Sequence, residues 1–119
     1  MDPITGLAYG RIAVGTLSLL SPKLAARLFL LDPATNPQLP YMGRLFGSRE
    51  IALGMVTLAA PDGETRRRLI QLGVGVDAAD ALNGIVSAAS GSVSKKAGLL
   101  LTVAGAASTT TGLLALQES

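Results

Sequence analysis

Residues 97–117 contain no charged side chain. This run is long enough for the roughly 20 residues that cross a bilayer as a helix, and it has no polar face that could hold a helix in water. It therefore favours an integral membrane protein located in the cell membrane as a multi-pass chain. The alternative is a soluble four-helix bundle with its charged residues on the outer faces, and the charge-free run argues against that alternative.

The composition agrees with a membrane fold. Of 119 residues, 49% are hydrophobic and 15% are charged, whereas about 25% charged residues are usual in soluble domains. Such hydrophobicity excludes intrinsic disorder. The chain has no Cys and no His, so thiolate ligands and the commonest general base are missing, and we expect no metal centre and no cofactor. A net charge of +2 is too small to indicate a nucleic-acid partner.

Apolar segments separated by turn signals predict an all-α fold, in which residues 1–119 form a single domain with four transmembrane helices. Ser21 and Pro22 mark the start of a short amphipathic helix between the first and second long helices, because Ser caps helices and Pro is favoured at their first position. We expect this helix to lie in the membrane interface or to pack as an elbow. Prolines 33, 37 and 40 predict a loop over residues 32–41. The predicted helices are 4–20, 22–31, 42–60, 65–89 and 96–116.

Small residues recur three or four positions apart in every predicted long helix. Gly6 with Gly10, and Gly43 with Gly47, match the G-x-x-x-G pattern. Membrane helices associate without a hydrophobic driving force between them, so small residues that let two backbones approach closely supply the packing. We expect these rows to pack helices within one bundle, and packing between protomers is the alternative.

Ionisable residues lie inside the apolar segments, where a charge costs at least about 2.5–3.5 kcal/mol, and they must therefore be paired or hydrated. If the second and third long helices form an antiparallel hairpin that turns near Gly63, residues whose numbers sum to about 127 face each other. This register places Glu50 opposite Asp77. It also places Arg44 opposite Asn83. The predicted charge network comprises Arg11, Arg44, Arg49, Glu50, Asp77, Asp80 and Asn83.

Arg11 in the first helix has two possible positions in this arrangement. It either joins the charged layer or extends its long side chain to the interface. The layer as a whole also has two interpretations. One is a salt-bridge network that fixes helix register. The other is a polar cavity or pathway, in which Glu50, Asp77 or Asp80 acts as a proton acceptor, a cation ligand or a general acid.

Hydroxyl groups are the remaining candidates for chemistry. Ser48, Ser87 and the run 108–111 have no His to activate them. We expect these side chains to donate hydrogen bonds back to their own helix, which leaves the carboxylates as the only catalytic candidates.

The segment Arg44-Leu45-Phe46-Gly47-Ser48-Arg49-Glu50-Ile51-Ala52-Leu53-Gly54, followed by Asp77-x-x-Asp80 in the next helix, resembles a group of small, uncharacterised four-helix bacterial membrane proteins. This group is DoxX-like and common in actinobacteria, and the resemblance covers most of residues 44–116. It implies a four-helix integral membrane fold and transfers no established activity.

Three functions are compatible with these features. We expect an accessory or assembly module of the membrane, whose partners are the lipid bilayer and a second copy or a larger membrane complex. The first alternative is a proton- or cation-linked transporter of a small solute. The second is a membrane-embedded acid/base enzyme acting on a lipid-like substrate, which would need a closed apolar pocket with a carboxylate at its floor.

Overall fold

The computed structural model describes residues 3–36 and 38–118, and every regular element in these ranges is an α-helix. The all-α prediction is confirmed. Met1–Ala59 and Ala60–Ser119 form two compact units, and the prediction of a single domain over both stays a prediction. The helices are α1 (Pro3–Leu20), α2 (Pro22–Leu28), α3 (Leu39–Ala59), α4 (Gly63–Ala89) and α5 (Lys95–Glu118).

In the first unit, α1 and α3 pack antiparallel through residues without side chains. A Cβ added at Gly15 would lie 2.6 Å from the carbonyl oxygen of Gly47, and one added at Gly54 would lie 2.6 Å from the carbonyl oxygen of Ala8. The two backbones therefore touch at two levels, about two helical turns apart. This confirms, within the unit, that small residues pack helices together, although on α1 the contact uses Ala8 and Gly15 and not the predicted Gly10, where an added Cβ would meet nothing within 4 Å.

The short helix α2 starts where the sequence predicts but ends earlier. Its predicted end was residue 31, whereas the helix stops at Leu28 and Leu30 adopts a positive φ of 60°. The amide of Leu31 turns back to the carbonyl of Ala26, which closes the helix with a tight turn. The prediction was wrong by three residues because nothing in the apolar pattern marks this turn.

The second long helix begins before the predicted residue 42. Asn36 closes the loop, since its side chain accepts from the amide of Gln38 and its carbonyl accepts from the amide of Leu39. Helix α3 starts at Leu39 and places Pro40 in its first turn, where a missing amide proton costs nothing. Pro37, which the sequence assigns to the loop, lies outside the described residues.

In the second unit, α4 and α5 form an antiparallel hairpin with capped ends. The side chain of Asp62 accepts from the amide of Thr65 at 2.7 Å, and the hydroxyl of Ser94 accepts from the amide of Ala97 at 3.1 Å. These caps start α4 at Gly63 and α5 at Lys95, slightly before the predicted positions. The turn between the helices contains Gly91 with a positive φ of 80°.

The hairpin is held by the same kind of contact as the first unit. A Cβ added at Gly84 would lie 2.7 Å from the hydroxyl oxygen of Thr102, and one added at Gly105 would lie 2.7 Å from the backbone nitrogen of Ala81. Close backbone contact therefore extends along both helices.

Two helices are long and apolar enough to cross a membrane, Gly63–Ala89 and Lys95–Gln117. A third span results if α1 and α2, which meet at an angle of 115°, count as one broken segment. This is fewer than the four predicted spans. Helix α3 is long enough to cross a membrane but is not among these spans, because it carries three charged residues, Arg44, Arg49 and Glu50.

Apolar side chains are distributed unusually between interior and surface. Among residues 3–36 and 38–117, four of the six buried apolar residues are alanines, namely Ala8, Ala26, Ala97 and Ala115. Large apolar side chains are exposed on every helix, with Leu99 at 66% and Leu82 at 60% among them. The interior is thus built from small residues, and the bulk of the apolar surface faces outward.

Candidate functional site

The predicted charge network is divided between the two units. Arg11, Arg44, Arg49 and Glu50 belong to the first unit, and Asp77, Asp80 and Asn83 belong to the second. The predicted facing of Glu50 with Asp77, and of Arg44 with Asn83, concerns residues of different units and stays a prediction.

A buried ion pair joins α1 to α3. One guanidinium nitrogen of Arg11 lies 2.8 Å from Oε2 of Glu50, and the two residues are only 8% and 5% exposed. The sequence left Arg11 either in the charged layer or at the interface. The structure pairs it with Glu50 inside the first unit, and a charged layer that also includes the α4 residues stays a prediction.

Glycine contacts on both sides explain why this pair is buried. Arg11 lies between Ala8 and Gly15 on one face of α1, and Glu50 lies between Gly47 and Gly54 on one face of α3. Because the backbones touch above and below, the two long side chains fill the space that remains between the helices. The ion pair and the glycine rows therefore specify the same antiparallel register.

Glu50 is also bonded to its neighbour in sequence. Arg49 donates to Oε1 of Glu50 at 3.3 Å, and its guanidinium carbon lies 5.2 Å above the centre of the Phe46 ring. Both carboxylate oxygens of Glu50 thus accept a hydrogen bond from a guanidinium group, one from each helix. Such charge-assisted bonds fix the position of the carboxylate between the two helices, and each oxygen keeps a second lone pair that can accept a further hydrogen bond.

The second half of the network lies on α4. Asp77 is 4% exposed and shares the buried face of the helix with Ile70, Gly73 and Gly84. Asp80 lies one turn further and is half-buried. The two carboxylates lean to one side of the helix, as their i, i+3 spacing predicts.

Arg44 and Asn83 occupy a different environment. Both side chains are exposed, so neither belongs to a buried set. Arg44 was included as a charge in an apolar segment and Asn83 by the inter-helix register, and burial now separates both from Arg11, Glu50 and Asp77.

The carboxylates of α4 do not by themselves form a metal site. Asp77 and Asp80 could supply two oxygen ligands from one helix, whereas hard cations such as Ca²⁺ take six to eight. Their chemical capacity, taken within their own unit, is to hold a proton or to accept hydrogen bonds.

The prediction that hydroxyl groups bond to their own helices is confirmed for the threonines of the run 108–111, whereas Ser48, Ser87 and Ser108 form no such bond in the described part of the chain. Thr109, Thr110 and Thr111 each donate to the carbonyl four residues before at 2.8–2.9 Å, and Ser18 and Thr57 do the same in the first unit. These hydroxyls are satisfied internally and present no activated nucleophile.

One polar contact was not anticipated from the sequence. Arg67, in the first turns of α4, donates to the backbone carbonyl of Leu116 near the end of α5 at 2.6 Å. The carbonyls of a last helical turn lack intrahelical donors, and a cation there also interacts favourably with the negative end of the helix dipole. The signal that could have found it is the hairpin register, in which Gly84 meets Thr102 and Arg67 therefore approaches the end of α5.

Comparison of the chain with protein-family models, with curated proteins and with solved structures gives no match. The resemblance to DoxX-like proteins consequently stays a hypothesis.

Proposed function

We propose that this chain is a small multi-pass integral membrane protein that acts as an accessory or assembly module, with α1, α3, α4 and α5 in the bilayer. The observation that carries the proposal is the outward position of its large apolar side chains. The DoxX-like resemblance is part of the same proposal, because that group also implies four helices in the membrane.

The exposed surface is suited to lipid and unsuited to water. Leu72, Leu82, Ile85 and Val86 on α4 are all more than half exposed, and apolar area left in water costs about 25 cal/mol per Å². In a bilayer this cost vanishes, and helix association then relies on close packing through small residues. The glycine contacts inside both units are of that kind.

The charges of α3 do not prevent it from crossing the bilayer. Glu50 is paired with Arg11 of α1 and with Arg49, and paired ionisable residues are the form in which charge is tolerated at membrane depth. Arg44 lies near the start of α3, where a long cationic side chain reaches the interface. On this proposal, α3 is a further span beyond those that length and composition identify.

The bonding of Glu50 supports a structural module over a carrier or an enzyme. Because both of its oxygens accept from guanidinium groups, the residue holds α1 and α3 in register. A partner or second copy would then meet the outer faces of the helices.

A proton- or cation-linked transporter is the second candidate, and Asp77 is the observation that favours it. This carboxylate is nearly inaccessible and lies near the middle of the 27-residue α4. Ionisable residues at such depth commonly mark ion pathways.

The membrane assignment is tested by fractionation of cells that express the full chain. We expect the protein to float with vesicles, to resist an alkaline carbonate wash and to need detergent for extraction. Recovery of a monodisperse protein in buffer without detergent overturns the assignment. After extraction in a mild detergent, native electrophoresis is expected to show the chain in a complex larger than its 12.1 kDa and its detergent micelle.

Reconstituted vesicles separate the two functional candidates. Proton uptake is followed with an entrapped pH-sensitive dye for the natural chain, for Asp77→Asn and for the exposed control Asp62→Asn. A structural module gives no uptake above protein-free vesicles in any of the three. Uptake that Asp77→Asn abolishes and Asp62→Asn retains establishes the transporter instead.

A further inference from the structure

The short helix α2 has a fixed direction that differs from that of the helix before it. It leaves α1 at 115°, and Pro22 packs against α3, where a Cβ added at Gly43 would lie 3.1 Å from the Cβ of Pro22. If α1 crosses the bilayer, α2 runs across its end, close to the plane of the membrane surface.

Helix α2 presents three different faces. Ala26 is buried against the rest of its unit. Leu24 and Leu28, 45% and 57% exposed, lie on roughly the opposite side at 3.6 residues per turn. Lys23 and Arg27 are exposed and lie on the flank between these two sides. An apolar face with cations beside it is the arrangement of interfacial helices.

The charge of α2 itself is entirely positive, and the nearest acidic residue in the sequence is Asp32, after the turn that ends the helix. Residues 3–31 contain no Asp or Glu, and neither Lys23 nor Arg27 forms an ion pair with another described residue. Anionic headgroups complement two such cations, whereas a neutral membrane surface or an apolar protein groove does not.

We propose that α2 is an interfacial element that binds anionic lipids. Lys23 and Arg27 contact the phosphates of the headgroups, and Leu24 and Leu28 enter the acyl region below them. This inference rests on the proposed membrane location and adds to it a lipid class and the residues that select it.

The chain allows a single fluorescent reporter, because it has no Trp. Leu24→Trp places an indole on the lipid-facing side of α2. The full chain carrying this change is reconstituted into phosphatidylcholine vesicles that contain equal fractions of brominated phosphatidylglycerol or brominated phosphatidylcholine. The two quenching curves give the relative association constant of the anionic lipid at α2.

We expect the association constant of phosphatidylglycerol at α2 to exceed that of phosphatidylcholine by up to about 25-fold, the product of the contributions of the two cations. Each cation near an anionic surface accounts for about a fivefold preference, so Lys23→Gln with Arg27→Gln, in the same reporter background, reduces the ratio to near one. At 1 M salt the Debye length is about 3 Å. Because the salt screens Lys23 and Arg27, the quenching ratio is then expected to fall also in the reporter chain that keeps both cations. The matched control is Arg66→Gln with Arg68→Gln, which also removes two cations and leaves the ratio at α2 unchanged.

Two results overturn the inference while the membrane assignment stands. One is a protein that floats with vesicles but shows no quenching by either lipid, which places α2 in water or under a protein partner. The other is equal quenching by both lipids in the natural background, which shows an apolar contact without lipid selection. A protein that does not float at all refutes the proposed function itself.

Discussion

Because α1 packs closely against α3, we predict that the same substitution at two glycines of α1 has opposite effects on stability. A Cβ added at Gly15 would lie 2.6 Å from the carbonyl oxygen of Gly47 and 2.9 Å from the backbone nitrogen of Ile51. A Cβ added at Gly10 would meet nothing within 4 Å. Gly15→Ala and Gly10→Ala therefore make the same chemical change in a crowded position and in an open one.

The difference in stability between these variants isolates the helix contact. Both gain about 1 kcal/mol because Ala costs less backbone entropy in a helix than Gly, and this gain cancels in the comparison. At Gly15 the new Cβ is 0.8 Å closer than the 3.4 Å at which ordinary contact begins. The side chain of Ile51, whose Cγ1 would lie 2.8 Å away, can change rotamer, but the backbone oxygen of Gly47 and the backbone nitrogen of Ile51 cannot rotate away. Overpacking of this kind costs about 1–3 kcal/mol, so Gly15→Ala is expected to be less stable than Gly10→Ala by that amount.

The measurement is an SDS titration in mild detergent, followed by energy transfer between dyes on α1 and α3. Cysteines that replace Tyr9 and Met55 carry the dyes, since both positions are exposed and the chain has no other Cys. Gly10→Ala is expected to unfold at an SDS fraction equal to or above that of the natural chain, and Gly15→Ala at a lower one. Equal midpoints for the two variants would refute the proposed backbone contact.

Two further changes test the polar contacts. Glu50→Gln removes the carboxylate that pairs with the buried Arg11 and is expected to lower the free energy of unfolding by about 3–5 kcal/mol. The control Glu64→Gln breaks an exposed pair and is expected to lower it by about 1 kcal/mol or less. Similar SDS midpoints for the two variants would show that the Arg11 pair is not buried. At Asp62, the backbone hydrogen bond from Thr65 lowers the pKa of the carboxyl below its ordinary 3.8. Its stabilisation of α4 is therefore complete above that value and is lost as the pH falls through the lower pKa of the folded state. Thermal melting against pH is expected to show this loss in the natural chain and not in Asp62→Asn, which keeps the cap without the charge; an identical acid loss in both would assign it to other groups.

The helices follow from the sequence because each is bounded by residues with strong local preferences. Ser21-Pro22 and the Pro61-Asp62-Gly63 turn mark helix starts, and the structure places helices there. Asp62 caps α4 with its side chain, whereas the predicted cap Ser21 makes no side-chain hydrogen bond to α2. The start of α3 was predicted three residues late because Pro40 reads as a breaker, whereas in the first turn of a helix it is tolerated. Local sequence signals therefore predict that a helix exists more accurately than they predict the residue at which it begins or ends.

The sequence identifies the charged residues of the first unit, but it does not show which of them pair. Arg11 and Glu50 stand out as charges in apolar helices. Their pairing depends on the register of α1 against α3, and that register cannot be counted through the connection because α2 turns aside between them. The glycine rows carry the missing information, since Gly15 with Gly47 and Ala8 with Gly54 already bracket the ion pair.

The sequence separation within the Arg11–Glu50 pair has a consequence for biosynthesis. Glu50 follows Arg11 by 39 residues, and ribosomes add about 5–20 residues per second. For a chain inserted as proposed, the charge on the first helix is therefore made about 2–8 s before the carboxylate that neutralises it. During that interval, hydration or the insertion machinery must stabilise α1, and its final position in the bilayer is reached only once α3 has been synthesised.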